Sequence, residues 1–249
     1  MPISYLAQTP GYASWHPLAR SVEYLCNGQQ SSQPGIMEGG SSCSQRRGLD
    51  FFFQSHGQKV RRFSNPRIDV VSFQSFNSYL ASAIGSTTYS FSVRLGCFFT
   101  AIPHSGIKVK AGLLMPEEYQ CHLRYTIHKK FSQPECPRTD VFYVDPEGKY
   151  LPTVVEAVRQ GIATEGLSWF QRFSEMPEVL RTLMEDDETN EGTWGFGAKP
   201  SPARNLYTGY VALSLGETQI ATEHLRQAAL SPSYTCFRER IEAVLSRLK

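Results

Sequence analysis

"SFQSFNSYLASAIGSTTYSFSVRLGCFF" (72–99) holds two aromatic-rich runs separated by a stretch of Ser, Thr, Ala and Gly. The second run decides the fold class. In it Phe91, Val93, Leu95, Cys97 and Phe99 recur at every second position, the period of a strand with one buried face. Ser92 and Arg94 then project from the other face. The run at 68–76 obeys the same rule: it follows an Asn65-Pro66 turn signal and sends Val71 and Phe73 inward, Ser72 and Gln74 outward. A third run, 121–128, sets Cys121, Leu123, Tyr125 and Ile127 on one side and His122, Arg124, Thr126 and His128 on the other. A short strand at 141–144 precedes the turn Asp145-Pro146-Glu147-Gly148. Strands with one apolar face predict an antiparallel sheet covered on one side.

After Pro152 the period changes. Val154, Val155, Val158 and Ile162 mark an amphipathic helix with a break at Gly166, and Trp169 to Leu183 continue helically, with Pro177 opening a new helix. Residues 190–202 read as a loop carrying Trp194 and Phe196 between glycines, and helices are expected at 203–215, 218–230 and 234–248, with Gly216 as a C-cap. Strands first and helices afterwards define an α+β protein: an antiparallel β-sheet packed on helices, with a C-terminal helical appendage. The expected organisation is a poorly structured segment over 1–45, rich in Gly, Ser, Gln and Pro, an α+β domain over 46–190 and a helical segment over 191–249. A short helix is expected at 18–25, and Phe51, Phe52 and Phe53 are expected to dock on the core.

A chain of 249 residues buries a sizeable core without disulfides or metal. The net charge of +2 implies no general grip on nucleic acid. Charge is unevenly spread, however. Arg46, Arg47, Lys59, Arg61, Arg62 and Arg67 form a basic stretch opposed only by Asp50, and Glu175, Glu178, Glu185, Asp186, Asp187, Glu188 and Glu191 form an acidic one. Each reads as a solvated surface or as a patch that steers a partner. The six cysteines contain no CxxC pair, and reduced thiols in a cytoplasmic protein are expected. No apolar run is long enough to cross a bilayer, and the N-terminus lacks a secretion signal.

The polar side chains of the three main strands fall on one face. Arg94 and Arg124 could clamp a carboxylate or phosphate there, with Gln74 and His122 adding hydrogen bonds. The simpler reading is a solvated sheet face. Chemistry elsewhere is thin. Cys121, His122, His128 and Cys136 lack zinc-like paired spacing, and Cys97 and Cys121 sit on the apolar side of their strands, where thiols are unreactive. Neither a GxxxxGK[ST] loop nor a GxSxG elbow occurs. No catalytic residue, metal site or cofactor is therefore assigned. The basic stretch with Phe51–Phe53 and Phe63 would suit single-stranded nucleic acid, but phenylalanines beside a strand belong more often to a core.

The motifs "VVSFQSF" (70–76), "FSVRLGCFF" (91–99), "YQCHLRYTI" (119–127), "ECPRTDVFYVD" (135–145) and "GLSWFQRF" (166–173) stand in the order of the bacterial domain of unknown function 4304 family, which the chain resembles over about 49–185. Phe73-Gln74, Leu95-Gly96, Cys121 to Arg124 and Ser168-Trp169-Phe170 carry the match; Arg94, Ser168 and Phe142-Tyr143 depart from the family's usual Asn, Pro and Trp pair. The resemblance implies an α+β domain and no established activity. "GYVALSLGETQIATEHLRQAALSP" (209–232) is faintly similar to one tetratricopeptide unit and reads as a helical hairpin. The functional expectation is a cytoplasmic, non-enzymatic protein-binding module, of the immunity or antitoxin kind, that neutralises a protein partner; the alternative is an enzyme or sensor that binds a small anion through Gln74, Arg94, His122 and Arg124. Membrane and nucleic acid are not expected as partners.

Overall fold

The computed structural model describes residues 53–56, 59–185 and 190–248. The expectations for 1–45, for a helix at 18–25 and for the Phe51–Phe53 side chains lie outside what is described. Seven strands are present among the described residues: β1 (Phe53–His56), β2 (Lys59–Ser64), β3 (Arg67–Ser75), β4 (Phe91–Phe99), β5 (Lys108–Lys110), β6 (Leu113–Met115) and β7 (Leu123–Ile127). Five of them form one antiparallel sheet in the order β1-β2-β3-β4-β7, and β5 and β6 form a separate hairpin. The 141–144 run contributes a single bridge, Phe91 to Phe142, rather than a strand.

The helices are α1 (Ser78–Ala83), α2 (Leu151–Gly161), α3 (Leu167–Arg172), α4 (Met176–Met184), α5 (Pro202–Ser214), α6 (Thr218–Ala229) and α7 (Arg238–Arg247). A 3-10 turn, Glu118–Gln120, precedes β7, and another, Pro232–Phe237, precedes α7. The break expected at Gly166 is instead one π turn, Ile162–Gly166, which joins α2 to α3 without interrupting the helical path. The proline at 177 does lie in the first turn of α4, where its missing N–H costs nothing. The protein is thus α+β, with six of its seven described α-helices after the strands and a helical C-terminal part.

Register explains the faces. Val71, Phe73, Phe91, Val93, Leu95, Cys97, Phe99, Leu123 and Ile127 belong to one buried cluster with Val154, Val158, Phe170 and Phe173 of α2 to α3. The same cluster runs on through Leu183 of α4 to Val211, Ala221, Leu225 and Ile241 of the C-terminal helices. Gly209 lets α5 and α6 close on each other: a methyl group there would come within 2.6 Å of Leu225 Cγ.

The second face is divided. Ile68, Val70 and Phe98 form a smaller apolar cluster with Cys121, covered by Phe63, Ile107 and Leu114. Its cover is the 100–121 excursion, which carries the β5–β6 hairpin. Cys121 therefore packs against the face opposite to the one expected, because β7 begins only at Leu123. The other half of this face carries the polar side chains.

The basic stretch is not a free patch within the described residues. Successive side chains of β2 enter opposite faces of the sheet, and both find partners. Arg61 is buried and donates from Nε to Pro116 O at 3.0 Å. Arg62 and Arg67 meet Asp69, which is fully buried on the helix side of β3. Lys59 pairs with Glu117. The acidic stretch is also partly spent within the protein: Glu178 holds Arg172 and Arg181, and Glu191 holds Arg172 at 2.7 Å.

Candidate functional site

The polar half-face is built around a carboxylate that the sequence reading did not use. Gly96 lies opposite Arg124 in the β4–β7 register. A Cβ at Gly96 would sit 2.6 Å from Cys121 Sγ and 2.7 Å from Cys121 Cβ. The bare backbone therefore lets the 3-10 turn lie down on the sheet, and Glu118 comes with it. Glu118 is 1% exposed. Its Oε1 accepts from Arg124 Nε at 2.6 Å, and its Oε2 accepts from Arg124 Nη2 at 3.0 Å and from Gln74 Nε2 at 2.9 Å. This is the bidentate guanidinium–carboxylate fork, with the anion supplied by the chain itself. Gly96→Ala is expected to lift this turn and to cost about 2 kcal/mol through overpacking against the short Cys121 side chain, read as a lower denaturant midpoint at unchanged slope.

Trp194 completes the cluster. Its N–H donates to Arg124 O at 2.8 Å and its carbonyl accepts from Arg124 N at 2.6 Å, so the loop adds one residue to the free edge of β7. The loop is anchored on both sides of the tryptophan. Thr193 is buried and accepts from Trp169 Nε1 at 3.0 Å, while Phe196 is buried beneath the Arg204 guanidinium. Gly195, at φ +110°, passes so close to Arg124 that a Cβ would meet its stem at 3.0 Å. The indole ring is consequently held under the Arg124 guanidinium, 3.8 Å from its centroid, and remains 37% exposed. Arg94 approaches the same ring at 5.7 Å. Its Nε is buried without a hydrogen-bond partner, and no carboxylate among the described residues pairs with it.

Of the four residues expected at the site, Gln74 and Arg124 converge on Glu118, and Arg94 and Arg124 converge on Trp194. His122 does not join them. Its ring has the side-chain parity of Arg124 but is stacked on Phe98 at 4.7 Å and met edge-on by Tyr207 of α5 at 4.7 Å. Its Nδ1 accepts from the Phe99 N–H at 2.9 Å. Burial, helped by His104, pushes its pKa down to about 3, so the ring is neutral at ordinary pH.

Comparison of the chain with family models, with curated proteins and with solved structures returned no match.

Nucleophilic chemistry finds little support among the described residues. Cys97 and Cys121 are buried, and burial pushes both thiols well up; the charges of Asp69 and Glu118 push them in the same direction. No group of three His, Cys, Asp or Glu side chains among the described residues could hold a metal ion. No described helix is long and apolar enough to cross a membrane. Among the four described cysteines, iodoacetamide at neutral pH is expected to label exposed Cys236 and to spare Cys97, Cys121 and Cys136 until denaturant is added. Mass spectrometry of tryptic peptides checks this; early labelling of Cys97 would show that β4 opens, and of Cys121 that the Glu118–Gln120 turn lifts.

Proposed function

We propose that the chain is a cytoplasmic, non-enzymatic protein-binding module, of the immunity or antitoxin kind, which meets its partner at the Trp194–Arg94 edge of the sheet. The supporting observation is the exposed part of Trp194, stacked on Arg124 and flanked by Arg94, which has no carboxylate among the described residues. Tryptophan and arginine dominate the energetics of protein interfaces, and a rigidly held indole loses little entropy on binding. Arg94 asks for an acidic group on the partner, which would complete what Glu118 does for Arg124. Tyr119, adjacent to Glu118 and 67% exposed, widens the surface. The free, buried cysteines suit a reducing compartment.

An anionic small molecule bound by Gln74, Arg94, His122 and Arg124 is the less supported reading. Glu118 already occupies Gln74 and Arg124, and His122 is turned to other contacts. The test is affinity capture from the native host with the wild type and with the Arg94→Ala/Trp194→Ala double variant. The proposal expects one stoichiometric protein, re-formed as a complex from purified components, with affinity at least a hundredfold lower for the variant and an unchanged thermal midpoint. Equal capture by both forms overturns it.

A further inference from the structure

A second feature lies at the other end of the same face and owes nothing to Trp194. Where the Glu118–Gln120 turn, the 103–107 segment, α5 and the Pro232–Phe237 turn meet, they enclose an open-mouthed cavity of about 180 Å³. Six of its wall residues are rings: Phe98, His104, His122, Tyr207, Tyr234 and Phe237. No Lys, Arg, Asp or Glu among the described residues lines it. A charged occupant would lose its hydration there without gaining a counter-charge. An apolar cavity of about 150 Å³ suffices for a benzene ring, so this one has room for a ring with a small substituent.

One polar group is fixed in that wall. His122 is 4% exposed. Because its Nδ1 accepts the Phe99 N–H, the neutral ring carries its proton on Nε2. No hydrogen bond is made by that N–H among the described residues, and it is not one of the sealed, unpaired polar atoms, so it is open to an occupant of the cavity. The stack on Phe98 and the edge contact with Tyr207 lock the ring plane, so the donor cannot turn away. Tyr207 stays protonated, burial having pushed its pKa up to about 12, so its hydroxyl brings no charge to the wall.

We infer that this cavity is a binding site for a small, neutral, planar aromatic molecule bearing a hydrogen-bond acceptor, its ring packed among Phe98, Tyr207, Tyr234 and Phe237 and its acceptor on His122 Nε2–H. Edge-to-face contacts select a ring over an aliphatic chain of equal volume. The unsatisfied donor selects a carbonyl or ring nitrogen over a bare hydrocarbon. The uncharged wall selects an amide over its carboxylate.

Benzamide, benzoate and toluene separate these demands, with binding read from amide chemical shifts in the full-length protein. Benzamide is expected to shift the resonances of Phe98, His122, Tyr207 and Tyr234 with a millimolar dissociation constant. Toluene is expected to bind roughly fivefold more weakly, the worth of one hydrogen bond, and benzoate more than tenfold more weakly. Ser105 lines the cavity and is exposed, so Ser105→Trp should fold normally, fill the mouth and abolish the benzamide shifts. The inference is overturned by benzoate binding as well as benzamide, by benzamide shifts that survive Ser105→Trp, or by no shift near the cavity at the solubility limit.

Discussion

Replacing Asp69 by Ala is expected to destabilise the protein by about 4 kcal/mol, chiefly the cost of leaving the buried Arg67 cation without its anion. Asp69 is fully buried in β3, and the guanidinium groups of Arg62 and Arg67 both meet it. Its Oδ2 accepts from Arg62 Nε at 2.8 Å and from Arg67 Nη2 at 3.0 Å. Its Oδ1 lies 2.7 Å from Arg67 Nε, a charge contact without hydrogen-bond angles. Arg67 also donates from Nη1 to Phe170 O at 2.9 Å, tying β3 to α3. With the carboxylate gone, Arg67 keeps only that carbonyl, at 7% exposure. The cost is one of uncompensated burial, so it should largely vanish when all three charges are removed together. Arg62→Met/Arg67→Met/Asp69→Leu is expected to recover most of the loss, because apolar groups of similar volume need no partner. Urea denaturation at neutral pH measures both. A loss under about 1 kcal/mol for Asp69→Ala would mean that water reaches the network.

This cluster also shows where the sequence was legible and where it was not. The faces of β4 follow from "FSVRLGCFF" alone, because five alternating apolar side chains admit one register against a core. The helices after Pro152 follow from their period in the same way. Along the chain only Asp50 opposes the charges of the basic stretch, and sequence order does not show the partners that Lys59, Arg61, Arg62 and Arg67 find. In a β-sheet the opposing charge comes from the next strand: Arg62 pairs with Asp69 in the β2–β3 register. The signal was available as an aspartate inside the apolar run "RIDVVSF", since a charge at such a place is buried only with a partner.

The site was legible to the same depth. Parity puts Gln74, Arg94 and Arg124 on one side of the sheet, but of the two arginines expected to clamp a carboxylate or phosphate together, only Arg124 meets a carboxylate, and it belongs to the chain itself. Parity could not say whose carboxylate it was. Glu118 reaches the face through the turn at "PEEYQC", and nothing local marks one of its two glutamates as buried. The only hint is Gly96, a residue without a side chain in the middle of a strand, where another piece of backbone can approach closely. The glycines around Trp194 mark a surface loop; that the loop pairs with the edge of β7 follows only from the three-dimensional path. His122 had the right parity and the wrong neighbours, because α5 is far along the chain and brings Tyr207 onto it.

That same contact gives the protein an acid sensitivity that its carboxylates alone would not. An unfolded His122 titrates near the ordinary histidine value of about 6.5, whereas in the folded protein its pKa is pushed down to about 3 by burial first and by His104 second. The folded pKa lies below the unfolded one, so the unfolded chain binds the extra proton between these values. Stability from this group is complete above about pH 6.5 and drains away as pH falls towards the folded value, reaching a loss of about 3 kcal/mol near pH 4. Glu156 and Glu178, both pushed down to about 2 by their arginine partners, take up protons in the unfolded chain near the ordinary glutamate value of about 4.3, so they add to the loss below about pH 5; a variant that lacks only the histidine shares that part, and it cancels in the difference. The comparison variant is His122→Gln, whose side-chain oxygen can still accept the Phe99 N–H but cannot be protonated in this range. Its neutral-pH stability will be lower for want of the ring stack on Phe98, so the diagnostic quantity is the slope. Between about pH 6.5 and pH 4 the wild type should lose about 3 kcal/mol more than the variant in parallel urea titrations. Parallel slopes would mean that the ring is hydrated or already protonated in the native state, and the fixed Nε2–H donor would go with it.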